Sequence, residues 1–403
     1  QPHPDFINVR TAYASKNLGT IDKKSSYKIR HRKIQGGHKT EREGKLSMSS
    51  ENKNAYPVIE LTAETPFERG VQYGTQAADR IHICVEYYKK SFEKQGFTWE
   101  KAQEYAMGYL PIVKEEMPEI LEEAEGVAKG SGHSLGEIMA VNCRYEVSKM
   151  PKPEECTTAA ILPEASKGGK TYAVKNWDFH QAIMPHIVLL RIRTKEYSAI
   201  GWAEAGQMPR EGFNSYGVAI INNGLASKYD YYGEGLPVTF LRRRVLASKS
   251  FEEAADLVKN LKRCISNNVV LVGKKGQVLD FEVQPYKMDQ VYSQGGILTH
   301  ANHFVADPDA DAFPKRAKVR DVRLMELLSE KRGEIDVPFI MECMKDHKYW
   351  PKAICSHPTF EGDERTYIPD GITVASMIVD FEENTAYISS GPPCENEYIA
   401  YKL

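Results

Sequence analysis

The chain lacks any apolar run that is long enough to cross a bilayer. Its 403 residues are 41% hydrophobic, but no stretch approaches the roughly 18 to 20 consecutive apolar residues of a transmembrane helix. The formal net charge of −2 gives no reason to expect nucleic acid or an acidic membrane surface as a partner. We therefore predict a soluble globular protein with no nucleic-acid partner and no membrane partner.

Cysteines are few and scattered, and no two of them form a CxxC pair. An odd number of distant cysteines argues against a disulfide framework and against a thiolate zinc site. Free cysteines suit a reducing compartment, so we predict a cytoplasmic location. The terminal Tyr401-Lys402-Leu403 matches the peroxisomal Ser-Lys-Leu signal poorly, because tyrosine replaces the required small residue. The seven cysteines are Cys84, Cys143, Cys156, Cys264, Cys343, Cys355 and Cys394.

Residues 1–54 differ in composition from the rest of the chain. Up to Lys45 they carry seven lysines and four arginines against two aspartates and two glutamates. They lack the apolar segment of a secretory signal and show little apolar periodicity, which is typical of disorder. We predict a basic, disordered extension over 1–54 and one domain over 55–403.

Helical signals dominate the first third of this domain. Thr65-Pro66-Phe67-Glu68 combines a Thr N-cap, a first-turn proline and a glutamate three residues after the cap. Ser134-Leu135-Gly136-Glu137 is a second capping signature. Short β-branched runs bounded by turn residues then predict strands over 157–162, 171–175, 187–192, 217–221, 269–272, 278–283 and 372–381. Helical spacing returns over 236–246, 251–261 and 315–329, so the pattern predicts one layered α+β domain.

Cys156 is the most informative of the cysteines. It follows a charged, proline-containing loop and comes directly before a predicted strand. If the Glu155–Cys156 bond were cut, Cys156 would gain a free α-amine, whose ordinary pKa of about 7.7 to 8.0 lets it take the thiol proton near neutrality. One residue would then supply both nucleophile and base. The alternative is a buried structural cysteine, which the local pattern alone favours.

A set of motifs in a fixed order favours the catalytic interpretation. Cys156-Thr157-Thr158 followed by Asn176-Trp177-Asp178 resembles the motif of the penicillin acyltransferase family of N-terminal nucleophile hydrolases, the peptidase C45 group. Similar segments run in family order over about residues 57 to 380. They are Pro66-Phe67-Glu68-Arg69-Gly70, Asn142-Cys143-Arg144-Tyr145-Glu146, Glu204-Ala205-Gly206, Gly212-Phe213-Asn214-Ser215 and Thr299-His300-Ala301-Asn302-His303.

The resemblance implies a four-layer αββα sandwich, autoproteolysis between Glu155 and Cys156, and a mature heterodimer of fragments that end at 155 and span 156–403. It implies a hydrolase or acyltransferase that acts on a small-molecule amide or acyl-thioester and uses no cofactor. One departure is Glu155, where the penicillin enzyme of the family has glycine before its cysteine. A bulkier acidic residue changes the environment of the bond but does not prevent an N-to-S acyl shift.

The resemblance also implies roles for residues around Cys156, the nucleophile. Asp178 would position the freed amine; its alternative is an aspartate that caps the following turn. Asn302 would donate to the oxyanion of the tetrahedral intermediate, and the backbone N–H of Thr158 or a neighbour is a candidate second donor. Asn176 is assigned to the local scaffold.

Other positions carry weaker assignments. Arg144 is a candidate processing or structural residue, with a salt bridge inside its own helix as the alternative. The family's C-terminal Ser-Arg pair is absent where this chain reads Pro369-Asp370-Gly371-Ile372, so we transfer no role there. His300 and His303 flank Asn302, but no carboxylate or cysteine stands at ligand spacing, and we predict no metal site.

Two other classes of function remain open from the sequence. A non-catalytic relative of the same fold would bind a ligand or partner and stay uncleaved. A papain-like protease would pair Cys156 with a distant histidine such as His300 and would need no chain break. Intact mass separates both from the self-cleaving enzyme, which is predicted to consist of two fragments.

Overall fold

The computed structural model describes residues 55–148, 155–231, 233–314, 318–359 and 370–403. The predicted extension over 1–54 lies outside these residues. The helices are α1 (Pro66–Gln76), α2 (Ala78–Lys94), α3 (Trp99–Met107), α4 (Leu110–Glu116), α5 (Pro118–Ser131), α6 (Leu135–Asn142), α7 (Arg144–Val147), α8 (Val238–Leu246), α9 (Phe251–Asn260), α10 (Arg320–Ser329) and α11 (Val337–Cys343). None of them is long and apolar enough to span a membrane.

Most strands lie after the helical first third, as predicted. They are β1 (Val58–Leu61), β2 (Glu155–Ile161), β3 (Tyr172–His180), β4 (Ile187–Arg193), β5 (Ser198–Glu204), β6 (Glu211–Asn214), β7 (Val218–Asn223), β8 (Asn267–Gly273), β9 (Gln277–Val283), β10 (Met288–Val291), β11 (Ile297–His300), β12 (Gly371–Asp380), β13 (Thr385–Ser389) and β14 (Tyr398–Lys402). The first sheet has the order β1-β4-β5-β6-β7-β8-β9-β10, and the second has the order β11-β2-β3-β12-β13-β14.

Three apolar cores separate four layers. One core packs α1 to α9 against the first sheet, and a second fills the space between the two sheets. A third packs α10 and α11 against the far face of the second sheet. Central strands such as β4 and β8 are buried on both faces and contain continuous apolar runs. The fold is therefore the αββα sandwich that the sequence predicts.

Backbone contact between α1 and α5 ties the helical layer together. A Cβ on Gly70 would lie 2.0 Å from the Glu123 carbonyl oxygen, and one on Gly126 would lie 2.1 Å from the Phe67 carbonyl oxygen. Only glycine allows helices to approach this closely. The N-cap predictions are confirmed as well, since Thr65 Oγ1 accepts from the Glu68 N–H at 3.3 Å.

Two local expectations from the sequence are corrected. The strand predicted over 171–175 is β3, which continues through Asn176, Trp177 and Asp178. Asp178 therefore lies inside a strand and does not cap a turn. The run Arg242-Arg243-Arg244 in α8 would by its charge be expected to form a solvated face, but Arg242 and Arg243 are buried. The Arg243 guanidinium forms two hydrogen bonds with the Glu123 carboxylate, at 3.1 and 2.7 Å. Of the helix predicted over 315–329, residues 315–317 lie outside the described residues.

Candidate active site

Cys156 is fixed at the beginning of a strand that is paired on both sides. β2 lies between β11 and β3, and Cys156 is opposite Trp177 in the β3 register. Both side chains point into the core between the two sheets, and Cys156 is 1% exposed. The strand therefore holds the candidate nucleophile in one position, as a catalytic group requires.

Asn302 contacts the backbone of Cys156 directly. It lies just beyond β11, and its side-chain Oδ1 accepts a hydrogen bond from the Cys156 N–H. The same Oδ1 accepts from Arg320 Nη2 at 2.8 Å, while Asn302 Nδ2 donates to the Gly224 carbonyl at 3.0 Å. Arg320 Nη2 also lies 3.5 Å from the Cys156 carbonyl oxygen. A buried carboxamide thus contacts the nitrogen that cleavage would convert into an amine, and a buried guanidinium contacts that carboxamide.

The loop that carries Asn302 is shaped by Glu282 on β9. The Glu282 carboxylate accepts from His300 Nε2 at 2.9 Å and from the N–H groups of Val305 and Ala306, the latter at 3.0 Å. His300 Nδ1 lies 2.7 Å from the Ala301 carbonyl. One buried carboxylate therefore anchors both ends of the turn on which Asn302 stands.

His300 carries a proton at neutral pH in this setting. Burial opposes the charged imidazole, but the negative charges of Asp280 and Glu282 outweigh it and raise the pKa of His300 to about 9. Burial lowers the pKa of His303 to about 4. A protonated His300 with both ring nitrogens engaged has no lone pair for a metal or for a thiol proton. This argues against the papain-like alternative.

Asp178 approaches from the other face of the same sheet. It pairs with Glu155 across β2 and β3, and neighbours along a strand alternate between faces, so its side chain lies opposite to that of Trp177. Thr373 Oγ1 donates to Asp178 Oδ1 at 2.6 Å and accepts from the Ser356 N–H at 2.8 Å. Asp178 is 1% exposed, so Thr373 holds a buried carboxylate on the residue that pairs with Glu155.

Asn176 and Thr158 occupy supporting positions. Asn176 Nδ2 donates to the carbonyls of Met344 and Ile354, at 3.0 and 2.8 Å. These bonds join β3 to the outer layer. Thr158 Oγ1 accepts from Asn223 Nδ2 at 2.8 Å. Thr158 pairs with both neighbouring strands, and its part as a second oxyanion donor stays a prediction.

Arg144 lies on α7 and is buried. Its Nη2 donates to Glu204 Oε1 at 2.8 Å, and Arg210 Nη1 lies 3.3 Å from the same oxygen. Tyr88 donates to the other carboxylate oxygen at 2.5 Å. This ion pair joins the helical layer to β5. The partner of Arg144 is therefore on another element, and the salt bridge is not the one inside its own helix considered above. The arrangement fits the structural half of the assignment.

Sequence reasoning missed Arg320 and Glu282. The family's C-terminal arginine could not be placed by motif, yet α10 brings a guanidinium to the cysteine from a position 18 residues after Asn302. No local pattern distinguishes Arg320 from an exposed helix residue. Glu282 stands in a strand whose burial on both faces only the assembled sheet reveals.

Comparisons with known proteins place the chain in a family. The family model "Acyl-coenzyme A:6-aminopenicillanic acid acyl-transferase" matches residues 165–393, a region that contains Asp178 and Asn302 and begins after Cys156. An Emericella nidulans acyl-coenzyme A:6-aminopenicillanic-acid-acyltransferase, 40 kDa form, is 26% identical over 339 residues, 82% of this chain and 91% of that protein. An N-acylethanolamine-hydrolyzing acid amidase of Caenorhabditis elegans is 26% identical over 290 residues, 66% of this chain and 78% of that protein.

A solved structure is similar at lower identity. A variant of conjugated bile acid hydrolase from Clostridium perfringens is 15% identical, with a TM-score of 0.41, and the match covers 62% of this chain and 97% of that one.

The αββα sandwich and the matches to an acyltransferase and an acid amidase identify an N-terminal nucleophile hydrolase that acts as an amidohydrolase or acyltransferase. The chain belongs to the acyl-coenzyme A:6-aminopenicillanic acid acyl-transferase family.

Proposed function

We propose that the chain cleaves its own Glu155–Cys156 bond and that the freed Cys156 is the nucleophile of the mature enzyme. One observation carries the proposal: the Cys156 nitrogen donates to Asn302 Oδ1, the oxygen that also accepts from Arg320. The pairing of Asp178 with Glu155 supports it. A structural cysteine does not need a buried carboxamide and guanidinium at its backbone.

Self-cleavage begins when the Cys156 thiol attacks the carbonyl carbon of Glu155 and forms a C–S bond in a tetrahedral intermediate. The thiol proton passes to the amide nitrogen and the C–N bond breaks, which leaves an internal thioester and a neutral α-amine that takes a further proton from water. Water then hydrolyses the thioester, releases the Glu155 carboxylate and regenerates the thiol. The net change is hydrolysis of one peptide bond, so no external oxidant or cofactor is consumed.

In the mature enzyme the Cys156 amine takes the thiol proton and the sulfur attacks the substrate carbonyl. Asn302 Nδ2 turns from the Gly224 carbonyl toward the oxyanion, and losing such a donor typically costs about 10²- to 10³-fold in rate. The amine returns its proton to the leaving group. The acyl-enzyme then passes its acyl group to water in hydrolysis or to an acceptor amine in transfer.

The names of the relatives support the proposed substrate class. One transfers an acyl group from coenzyme A to a penicillin nucleus amine, and another hydrolyses an N-acylethanolamine. We accordingly assign this chain a small-molecule amide or acyl-thioester. The two fragments stay associated as a heterodimer. None of the seven cysteines, all of which lie within the described residues, forms a disulfide, which supports a reducing, cytoplasmic setting.

Intact mass under denaturing conditions tests the proposal. The parent protein is expected to give a fragment that begins at Cys156, and Cys156→Ala is expected to give one uncut chain. Cys84→Ala is the matched control, because Cys84 is also buried but lies on α2, away from this strand. It is expected to split like the parent.

Two results would overturn the proposal. One is a Cys156→Ala chain that still splits at this bond. The other is a parent chain that stays intact while it turns over acyl amides in a thiol-dependent way. An intact and inactive parent would instead support the non-catalytic relative.

A further inference from the structure

A second cluster of reactive side chains lies in the outer layer, apart from Cys156. His347 follows α11, Cys355 and His357 stand eight and ten residues further along the chain, and Cys394 lies in the loop between β13 and β14. Each of the four offers one donor atom, and all four donor atoms lie within 4.8 Å of one another. Two imidazole nitrogens and two sulfurs are thus directed at one point.

The separations between these donors match the edges of a tetrahedron. The two sulfurs are 3.6 Å apart and the two Nε2 atoms are 3.1 Å apart. His357 Nε2 lies 3.2 Å from Cys394 Sγ and 3.7 Å from Cys355 Sγ. Ordinary Zn–S and Zn–N bonds give tetrahedral edges of about 3.8 Å for two sulfurs, about 3.4 Å for two nitrogens and about 3.6 Å for a mixed pair.

The surroundings of His357 fit a metal ligand. Its Nδ1 lies 3.6 Å from Glu395 Oε1, so a carboxylate orients the ring and leaves Nε2 for the cluster. Metal-bound histidines are typically oriented in this way by a hydrogen bond from the other ring nitrogen. Without an ion, two Nε2 lone pairs at 3.1 Å repel each other unless one nitrogen carries a proton.

We propose that His347, Cys355, His357 and Cys394 bind one structural zinc ion. Two thiolates and two imidazoles are the donor set that zinc prefers, and four protein ligands leave no open position for catalysis. This proposal departs from the prediction of no metal site. The sequence argument could not find this cluster because the donors are not arranged as CxxC pairs, and Cys394 joins the others only when the second sheet forms.

The proposed ion would join two segments that support the candidate active site. Cys355 precedes Ser356, whose N–H donates to Thr373 Oγ1, and that hydroxyl holds Asp178. Asn176 is bound to the carbonyl of Ile354, the residue before Cys355. The zinc would fasten this segment to the β13–β14 loop and so restrict the movement of Asp178. Its part is positional, because no ligand touches Cys156.

Metal analysis of the purified full chain tests the inference without any substrate. We expect about one zinc per chain from zinc-supplemented cells, and at least a tenfold lower content in Cys355→Ser. Cys343→Ser is the matched control, because Cys343 is a buried cysteine on α11 in the same layer and belongs to no donor set. It is expected to keep its zinc.

Cobalt substitution gives a second readout that reports the ligands. Co²⁺ added to the metal-free protein is expected to give the absorption of a tetrahedral site with thiolate-to-cobalt charge transfer. Cys394→Ser is expected to remove about half of that band, since it removes one of two thiolates.

Alkylation of the unmodified protein avoids any effect of a variant on folding. Zinc binding is expected to protect the Cys394 thiolate from alkylation. Because Cys394 is exposed, it is expected to react after chelation and to be protected again when Zn²⁺ alone is returned. A protein that carries no stoichiometric metal and gives no cobalt band would overturn the proposal. An intact protein mass lower by two hydrogens, which would report a Cys355–Cys394 disulfide, would also overturn it. Because Cys156→Ala is expected to keep the zinc, this test and that of self-cleavage can fail separately.

Discussion

Replacing Arg320 by methionine removes a buried positive charge beside Cys156 and keeps much of the side-chain volume. The guanidinium and the Cys156 nitrogen share one acceptor, Asn302 Oδ1, so two hydrogen-bond lengths, about 5 to 6 Å, separate them. At an effective dielectric constant of 20, a unit charge at that distance contributes about 3 kcal/mol, which is about two pKa units.

The sign of the effect is the same for both groups of Cys156. A nearby cation disfavours a protonated amine and favours a thiolate, so it lowers the pKa of each. Removing the Arg320 charge therefore raises both pKa values, whichever group governs the measured titration. We expect the apparent pKa of Cys156 reactivity in the cleaved protein to rise by about one to two units.

Alkylation of Cys156 measures this shift without knowledge of the substrate. The rate is followed by mass spectrometry from pH 5 to 10, and only chains that begin at Cys156 are counted. Arg323→Met is the matched control, because Arg323 stands one turn further along α10 and pairs with Asp346 at 2.9 Å. An unchanged or lowered apparent pKa in Arg320→Met would refute the electrostatic reasoning, and an equal rise in Arg323→Met would show that the effect is not local.

The remaining predictions concern buried ion pairs and stability. Arg243→Met leaves the Glu123 carboxylate without its closest buried cation, and chemical denaturation is expected to show a loss of about 3 to 5 kcal/mol. Its neighbour Arg244, which is 24% exposed in its ion pairs, is expected to lose less than about 1 kcal/mol as Arg244→Met, and equal losses would contradict the argument. Neighbouring carboxylates outweigh burial and raise the pKa of His300 to about 9, so its protonation stabilises the fold fully below about pH 6.5, and that stability is lost as the pH rises through 9. The unfolding free energy is expected to fall more steeply between pH 7 and 9.5 in the parent than in His300→Gln, and parallel curves would show that His300 contributes no such pH dependence.

Local signals made much of the fold predictable. The caps at Thr65 and Ser134 depend on residues three positions apart, and most strands are short apolar runs with turn residues beside them. The order of motifs then indicated the αββα class and pointed to Cys156, Asp178 and Asn302. The predicted strand ended before Asp178, whereas Asp178 lies inside β3. The strand continues because the outer layer binds its polar residue Asn176.

Long-range contacts could not be predicted from the sequence. Arg320 and Arg243 both stand in helices with charged neighbours, and burial depends on which layer each helix face meets. Cys394 and His347 are 47 positions apart and become neighbours only through the order of strands in the second sheet. Amphipathic patterning predicts which face of an element is covered, but it does not identify the residue that covers it.

The parallel pairing of β1 with β4 has a consequence for the proposed mature form. β1 and the first seven helices precede the cut, so the two fragments would share a sheet and an apolar core. Unfolding of such a protein is a dissociation, and its midpoint temperature falls on dilution, whereas that of the uncut Cys156→Ala chain does not. Once separated, the larger fragment would expose the unpaired edge of β4, a template for strand addition by other chains. After processing, refolding would require the two fragments to associate, so its rate would depend on the concentrations of both. Aggregation of the separated fragments would compete with this association.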